Sequence, residues 1–315
     1  MSTPCYVGFD TSNYTTSAAI CTEDGEIVAN LKEPLPVKGG ECGLRQSDAV
    51  FAHVRNLPVL TARLREALQG YAVRAVGCSV RPREAEGSYM PCFLAGRVAA
   101  ESFAAAINVP VTECSHQDGH IMAALYSSGA AERLLQAPFA AFHVSGGTTE
   151  ILHVTPTDGR FSVRLVGETA DLNAGQAIDR AGVMMGLQFP CGKEMESLAS
   201  TYTGKLPKPR VCVRDMKCNL SGLQNMTQKL WEESGDRAYV SAYVLSFIGE
   251  TLRQMTEQLD ERYPALPIVY AGGVMSNRYL QEVLGKRNDT YFAAPQFSAD
   301  NAAGVALLCR RNFLK

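Results

Sequence analysis

Two histidines four residues apart, His116 and His120, lie in the run Ser115-His116-Gln117-Asp118-Gly119-His120. Ser115 and Asp118 have the spacing of a capping box, which predicts a helix starting at Ser115. Residues four apart then share one helix face, with β-carbons roughly 6 Å apart. Two neutral imidazoles so placed can reach one divalent ion at about 2.0–2.1 Å each. The plain alternative is a pair of surface histidines near a helix start. The chain has only five histidines, at 53, 116, 120, 143 and 153, which favours the metal. Asp300, in Phe297-Ser298-Ala299-Asp300-Asn301, is a candidate third ligand or an ordinary helix cap. A His/His/carboxylate set leaves coordination positions open for a substrate. Metalloprotease chemistry needs HExxH with the glutamate as base, and Gln117 stands in that position, so proteolysis is disfavoured.

Ser145-Gly146-Gly147-Thr148-Thr149 has the composition of a phosphate cradle. Glycines let the backbone approach an anion and turn its N–H groups toward it, and the hydroxyls add donors. A simple hairpin turn uses the same residues; the weight comes from its place after an apolar run and from a partner turn at Asp10-Thr11-Ser12. Tyr270–Asn277 also follows an apolar run and opens a helix. Its Gly272 and Gly273 suit close approach of a base, ribose or phosphate, or only the turn itself. Asp171 and Asp179 add carboxylates that could hold a ribose hydroxyl or simply be solvated. Lys205, Lys208, Arg210, Arg214 and Lys217 make a basic stretch for RNA phosphates, or a solvated loop.

Positioning these groups takes strands and helices in alternation. Cys5–Asp10, Thr16–Cys21 and Glu26–Leu31 predict a meander with a turn at Asp24-Gly25. Strands at Ala72–Val80 and Val109–Cys114 alternate with helices at Phe51–Gln69 and Cys92–Ile107. The meander recurs as Phe139–Val144, Thr148–Val154 and Phe161–Val166, with Asp158-Gly159 as its turn. Alignment of the two puts Thr15-Thr16 over Thr148-Thr149 and Asp10 over His143. Helices at Ala174–Met185, Lys193–Ala199 and Tyr239–Asp260 follow. The chain then reads strand Pro267–Ala271, helix from Asn277, strand Tyr291–Ala293 and helix Asn301–Arg310. Alternation predicts an α/β fold, and the repeat predicts two lobes of related topology. The expected division is 1–125, with 302–315 packing back on it, and 126–301.

At roughly 100–200 residues per domain, 315 residues also predict two domains. Apolar content of 46% and charged content of 20% suit a well-filled core. A net charge of −2 gives no overall pull toward nucleic acid, so RNA has to meet a local patch or a partner. Ten cysteines without a CxxC pair exclude a zinc ribbon or a thioredoxin-type site. With no leader pattern and no run of ~20 apolar residues, a reduced, cytoplasmic protein with no membrane span is expected.

In this order the motifs resemble the TsaD (Gcp) family, formerly called O-sialoglycoprotein endopeptidases, over nearly the whole chain. The family's HxxxH matches His116 and His120, and its V-S-G-G matches Val144–Gly147. Its GET-x-D…G-x-x-x-D matches Gly167–Asp171, Gly175 and Asp179, and its P-G-G matches Pro190-Cys191-Gly192. F-S-G-L corresponds to Leu220–Leu223, A-G-G-V-x-x-N to Ala271–Asn277, and T-D-N-A to Ala299–Ala302. The resemblance implies a two-lobed, actin-like ATPase fold (the ASKHA, ribonuclease H-like class), a duplication with a cleft between lobes. It implies metal-dependent transfer of a threonylcarbamoyl group from threonylcarbamoyl-AMP to the adenosine 3′ of the tRNA anticodon, or a related carbamoyl transfer. His116, His120 and Asp300 would hold the metal, iron or zinc. Val144, Ser145, Gly146, Gly147, Thr148, Asp179, Gly192 and Asn277 would contact the adenylate, with Asp10, Thr11, Ser12, Gly272 and Gly273 as further candidates. Archaeal and eukaryotic relatives carry a tyrosine before V-S-G-G that can reach the metal. Here that position is His143, a better ligand for divalent transition metals and an expected fourth one. Magnesium is a further candidate cofactor, and tRNA and other proteins of the threonylcarbamoyladenosine route are expected partners.

Three departures fall in the first lobe. The family's E-T-S-C-D-[DE]-T loop reads Asp10-Thr11-Ser12-Asn13-Tyr14-Thr15. Its G-G-x-x-P-E reads Gly39-Gly40-Glu41-Cys42-Gly43, and its G-P-G-L loop is replaced by Val80–Tyr89, where Arg81 and Arg83 could meet a new anionic group. They point to a divergent paralogue. Two alternatives stand beside the transferase: an ATP-dependent phosphotransferase or ATPase of the same fold, with Asp10 as its first-lobe magnesium carboxylate, and a non-catalytic assembly subunit.

Overall fold

The structure is a computed structural model that describes residues 2–12, 14–36, 44–298 and 301–315. Asp300 and the Gly39–Gly43 departure lie outside the described residues. The chain divides into two compact units, Met1–Ser127 with Pro156–Ser162 and Gln296–Lys315, and Ser128–Thr155 with Val163–Pro295.

Unit 1 is built from β1 (Thr3–Ser12), β2 (Thr15–Thr22), β3 (Ile27–Pro34), α1 (Gln46–Ala67), β4 (Tyr71–Arg81), α2 (Phe93–Ile107), β5 (Val111–Ser115) and α3 (His116–Ser127). Its last helix lies at the end of the chain, after unit 2. Its sheet runs β3-β2-β1-β4-β5, antiparallel through the first three strands and parallel from β1 to β5. Cys5 to Ser12 are all buried, as expected of a strand covered on both faces. Alternation sorts their side chains: Cys5, Val7 and Phe9 pack with Leu60 and Leu64 of α1 and Ala100 and Ala104 of α2.

Unit 2 contains α4 (Ala131–Leu134), β6 (Phe139–Val144), β7 (Thr149–Pro156), β8 (Phe161–Thr169), α5 (Ala174–Met184) and α6 (Gly192–Thr201). It continues with β9 (Cys212–Arg214), β10 (Lys217–Asn219), α7 (Ser221–Ser234), α8 (Arg237–Arg262), β11 (Ile268–Ala271), α9 (Arg278–Leu284) and β12 (Thr290–Phe292). The chain ends in α10 (Ala303–Phe313), which packs on β1 and β4 in unit 1. The other face of β1 meets this helix: Tyr6 packs with Cys309, and a side chain at Gly8 would collide with the backbone of Ala306.

The second sheet runs β12-β11-β6-β7-β8-β10-β9. Without the short outer pair β10 and β9, this is the strand order of unit 1. The repeat extends to register: Asp10 faces Ser17 across β1 and β2, and His143 faces Glu150 across β6 and β7. The offset that carries Asp10 onto His143 also carries Ser17 onto Glu150. Among the described residues, no helix is long and apolar enough to cross a membrane.

Candidate functional site

The first turn of α3 forms as its residue types require. Asp118 N–H donates to Ser115 Oγ at 3.1 Å, and Ser115 N–H donates to Asp118 Oδ2 at 3.4 Å, a reciprocal cap. The helix then presents His116 and His120 on one face, with their Nε2 atoms 2.9 Å apart. Two bonds of ~2.0–2.1 Å place ligand nitrogens roughly 2.9 Å apart at a right angle and roughly 3.3 Å apart at a tetrahedral angle. The pair therefore fits a single divalent ion.

Behind the pair, the fully buried carboxylate of Asp10 accepts at Oδ1 from His116 Nδ1 at 2.9 Å and from Ser79 Oγ at 2.5 Å. A carboxylate at Nδ1 fixes the imidazole with Nε2 as its lone-pair nitrogen, which orients a metal-ligating histidine and raises its basicity. Asp10 and Ser79 come from neighbouring parallel strands, β1 and β4. Ser79 escapes a reading of the sequence; its only signal is a hydroxyl at the end of a buried strand. Among the described residues, no three His, Cys, Asp or Glu side chains gather as a metal site. Asp300 is outside that set. His143 lies in unit 2, with Nδ1 3.9 Å from Glu150 Oε1.

Thr11 and Ser12 differ in their duties. The Thr11 hydroxyl donates to Cys92 O at 2.9 Å and accepts from Gly96 N–H at 2.9 Å, so it ties β1 to the start of α2. Ser12 is buried, and its hydroxyl has no hydrogen-bond partner among the described residues. Arg81, a possible anion contact by its sequence position, pairs with Glu84 at 3.2 Å.

In unit 2 the Ser-Gly-Gly turn is closed by Ser145 N–H donating to Thr148 O at 2.7 Å. Ser145 Oγ accepts from Gly147 N–H at 3.2 Å and Thr148 N–H at 3.1 Å, so the serine already takes two of the donors that an anion would use. Gly146 N–H bonds to no described residue. The first turn of α5 lies against this loop. Ala174 N–H donates to Thr149 Oγ1 at 2.9 Å, and Gly175 N–H to Ser145 O at 3.1 Å. A side chain at Gly175 would sit 2.7 Å from Gly146 Cα, so the family-motif glycine at 175 sets how closely helix and turn approach. Val144 is buried and supports the turn from β6.

The remaining candidates carry structural bonds. Asp179 Oδ1 accepts from Cys191 N–H at 2.8 Å and holds the segment leading into Gly192, where a side chain would meet nothing within 4 Å. Asn277 Oδ1 caps α9 by accepting from Leu280 N–H at 3.1 Å. Gly272 has φ +102°, and a side chain there would strike Val144 O, so its missing side chain serves the packing of β11 on β6. Around Gly273 the space is open.

Asp171 is the densest anchor in unit 2. It accepts from Leu172 N–H (2.6 Å), Leu220 N–H (2.8 Å), Ser221 N–H (3.2 Å), Ser221 Oγ (2.5 Å) and Asn219 Nδ2 (3.3 Å). Desolvation acts to raise its pKa, but these bonds outweigh it and hold the carboxyl well below the usual carboxylate range. A depressed folded pKa means the stabilisation is complete above the unfolded value of ~3.9 and is lost as pH falls below it. Asp171→Asn should therefore flatten the loss of stability below pH ~4 and cost about 1 kcal/mol at neutral pH, allowing for solvent screening. Urea midpoints measured from pH 7 to pH 2 check this; parallel curves for variant and parent would remove Asp171 from that role.

The family model for TsaD, "tRNA N6-adenosine threonylcarbamoyltransferase", matches residues 47–307. A tRNA N6-adenosine threonylcarbamoyltransferase of Streptococcus suis (strain 05ZYH33) is 29% identical over 312 residues, covering 96% of this chain and 90% of that protein. One from Streptococcus pneumoniae (strain Taiwan19F-14) is 29% identical over 316 residues, covering 95% and 90%. Among solved structures, HypF of T. kodakarensis superposes with a TM-score of 0.60 at 12% identity, over 98% of this chain and 47% of that one. Component A of the (R)-2-hydroxyglutaryl-CoA dehydratase of Acidaminococcus fermentans gives 0.55 at 14%, over 99% of both chains. A ROK family glucokinase of Streptomyces griseus gives 0.52 at 14%, over 98% and 99%. At such identities these likenesses establish the fold, the two-lobed actin-like α/β class. The match across most of the sequence, with its HxxxH, S-G-G and A-G-G motifs intact, means that the chain belongs to the TsaD family, the tRNA N6-adenosine threonylcarbamoyltransferases.

Proposed function

We propose that this protein transfers a threonylcarbamoyl group from threonylcarbamoyl-AMP to the N6 amine of the adenosine 3′ of the tRNA anticodon. The observation that carries the reading is the convergent His116–His120 pair, backed by buried Asp10, in a chain whose family model spans 47–307. His116 and His120 would hold a divalent transition metal, iron or zinc, with Asp300 and His143 as the remaining candidate ligands. When bound, such an ion supplies Lewis-acid polarisation of a carbonyl, worth several kcal/mol. Asp10 keeps His116 in the tautomer whose Nε2 can ligate.

The Ser145–Thr148 turn and the first turn of α5 would orient the adenylate, with Gly146 N–H as the open donor and Ser145 Oγ able to exchange its internal bonds for the ligand's. Asp179 and Asn277 would position the nucleotide through the loops they tie down. The acceptor amine is a weak nucleophile, because its lone pair is delocalised into the base. Positioning therefore contributes more than a strong base would. Asp10 does not suit a magnesium-phosphate role: its carboxylate is fully buried and engaged with His116 and Ser79. The reaction belongs in the cytoplasm, with tRNA and the proteins that make the adenylate as partners. Nucleoside analysis of tRNA incubated with the protein, threonine, bicarbonate, ATP and the adenylate-forming enzyme tests the reading. Unmodified adenosine in an otherwise active mixture would overturn it.

A further inference from the structure

Unit 2 carries a cleft of about 770 Å³ that the groups described above do not use. Its rim is the chain from Pro207 to Cys212, its opposite wall the start of α7 at Gly222 and Met226, and its base Tyr243 and Phe247 of α8. The rim carries two cations, Lys208 and Arg210, with Glu250 of α8 close enough to Lys208 to interact with its charge, and Lys205 and Arg214 flank it in the chain. Lys205, Lys208, Arg210 and Arg214 are exposed and make no ion pair with any described residue, unlike Lys217, which pairs with Glu168 at 3.4 Å. From Tyr202 to Arg214 there is no acidic residue, in a chain whose net charge is −2. Pro207 and Pro209 fix their own φ and favour extended backbone before them, so the cations stay spread along the rim.

The interior adds a second, independent indication. Tyr243 is 1% exposed, yet its hydroxyl makes no hydrogen bond to any described residue, and it lines the cleft. Asn219 also lines it, with Nδ2 committed to Asp171 and its carbonyl oxygen free of any described donor. Gly222 presents bare backbone, with nothing within 4 Å of where a side chain would begin. An acidic peptide would need only the cations. Apolar walls of proline and methionine with a few polar groups at the bottom suit a planar group with polar edges, as an unstacked nucleobase is.

We propose that this cleft docks a single-stranded stretch of the acceptor RNA, with backbone phosphates on Lys208 and Arg210 and one unstacked base inside, its edge toward Tyr243 and Asn219. The proposal rests on the RNA-acceptor reading above and adds where on this chain the RNA lies.

The test uses the full chain and a labelled RNA stem-loop with an unpaired loop, followed by fluorescence anisotropy across a salt series. Lys208→Ala with Arg210→Ala should weaken binding at least tenfold and lower the log–log salt slope by roughly 1.4, about 0.7 for each phosphate no longer neutralised. Gly222→Met fills the cleft without removing charge; it should weaken binding to a similar extent with the slope unchanged. Cys212 supplies a probe on the unmodified protein. It is the exposed thiol among the described cysteines, while burial pushes Cys5, Cys92 and Cys218 up to about 11 and Cys21, Cys78 and Cys309 up to about 12. The RNA should slow maleimide labelling of Cys212 several-fold, read on its own peptide by mass spectrometry.

Parental RNA affinity in both variants with unprotected Cys212 overturns the proposal. Equal protection by polyglutamate also overturns it, in favour of an acidic protein segment. If the protein modifies adenosine while the variants keep the parental KM for RNA, docking fails and the transfer reading stands. If the RNA binds here and no adenosine is ever modified, the transfer reading fails and docking stands.

Discussion

His120→Ala is expected to abolish stoichiometric binding of the divalent metal and to lower threonylcarbamoyl transfer by about three orders of magnitude, the several kcal/mol of carbonyl polarisation that go with the ion. Its unfolding midpoint should barely move. His120 is half-buried, and its removal leaves the Asp10–His116–Ser79 chain intact. His116→Ala should match it in metal content and activity but differ in stability. Removing His116 leaves the buried Asp10 carboxylate with one side-chain donor fewer, at a cost of about 1–3 kcal/mol. Asp10→Asn should retain part of the activity, with metal affinity down about 10–100-fold, as befits a group that orients a ligand. Metal analysis, turnover and denaturation of the three variants check this together. Equal stability of the two alanine variants would show that the His116 hydrogen bond does not stabilise the buried Asp10 carboxylate in the way the geometry indicates.

The sequence made the histidine pair legible because its signal is local: spacing along one helix and a cap beside it. The carboxylate behind the pair was visible only as a first-lobe candidate for substrate or magnesium. Its bond to His116 joins β1 to α3 across more than a hundred residues, and nothing in the spacing encodes that contact. The repeat was legible down to the register of its hairpins, because the hydroxyl-rich turn and the following strand keep period two in both copies. Helix α7 is not legible. Its buried face is reduced to Leu223, Thr227 and Leu230 among polar residues, too thin an apolar stripe to stand out. Strands β9 and β10 have three residues each, below the length at which alternation can be read.

The glycines were the least legible feature, because glycine marks a turn, a ligand and a close helix crossing in the same way. Gly272 suggests a ligand by its place after a strand, whereas its packing partner is the backbone of Val144. Gly119 carries no signal of its own inside the histidine motif, and its role becomes clear only with α10 in place.

Gly304→Ala is the substitution expected to destabilise the protein most for its size. A methyl group at Gly304 would overlap the carbonyl oxygen of Gly119, in the turn of α3 between His116 and His120, and would come 3.0 Å from Ala123 N. Both obstacles are backbone inside a helix, so neither can move aside as a flexible side chain could. α10 would have to lift from α3 and, through Gly8 and Gly77, from β1 and β4, where added side chains would also collide with it. Overpacking a tight core costs about 1–3 kcal/mol, and a contact with rigid backbone belongs at or above the upper end. Ordinary helix propensity argues the other way, since alanine in a helix is favoured over glycine by about 1 kcal/mol. Gly222→Ala in α7, with open space around it, should therefore show a small gain, so the two glycine-to-alanine changes are expected to differ in sign. Gly304→Ala should also weaken metal binding without touching a ligand, because a displaced α3 no longer keeps His116 against Asp10 of β1. Denaturation midpoints and metal titration of both variants decide it. A Gly304→Ala protein as stable as its parent, with metal affinity unchanged, would mean that α3 is positioned by something other than its crossing with the C-terminal helix.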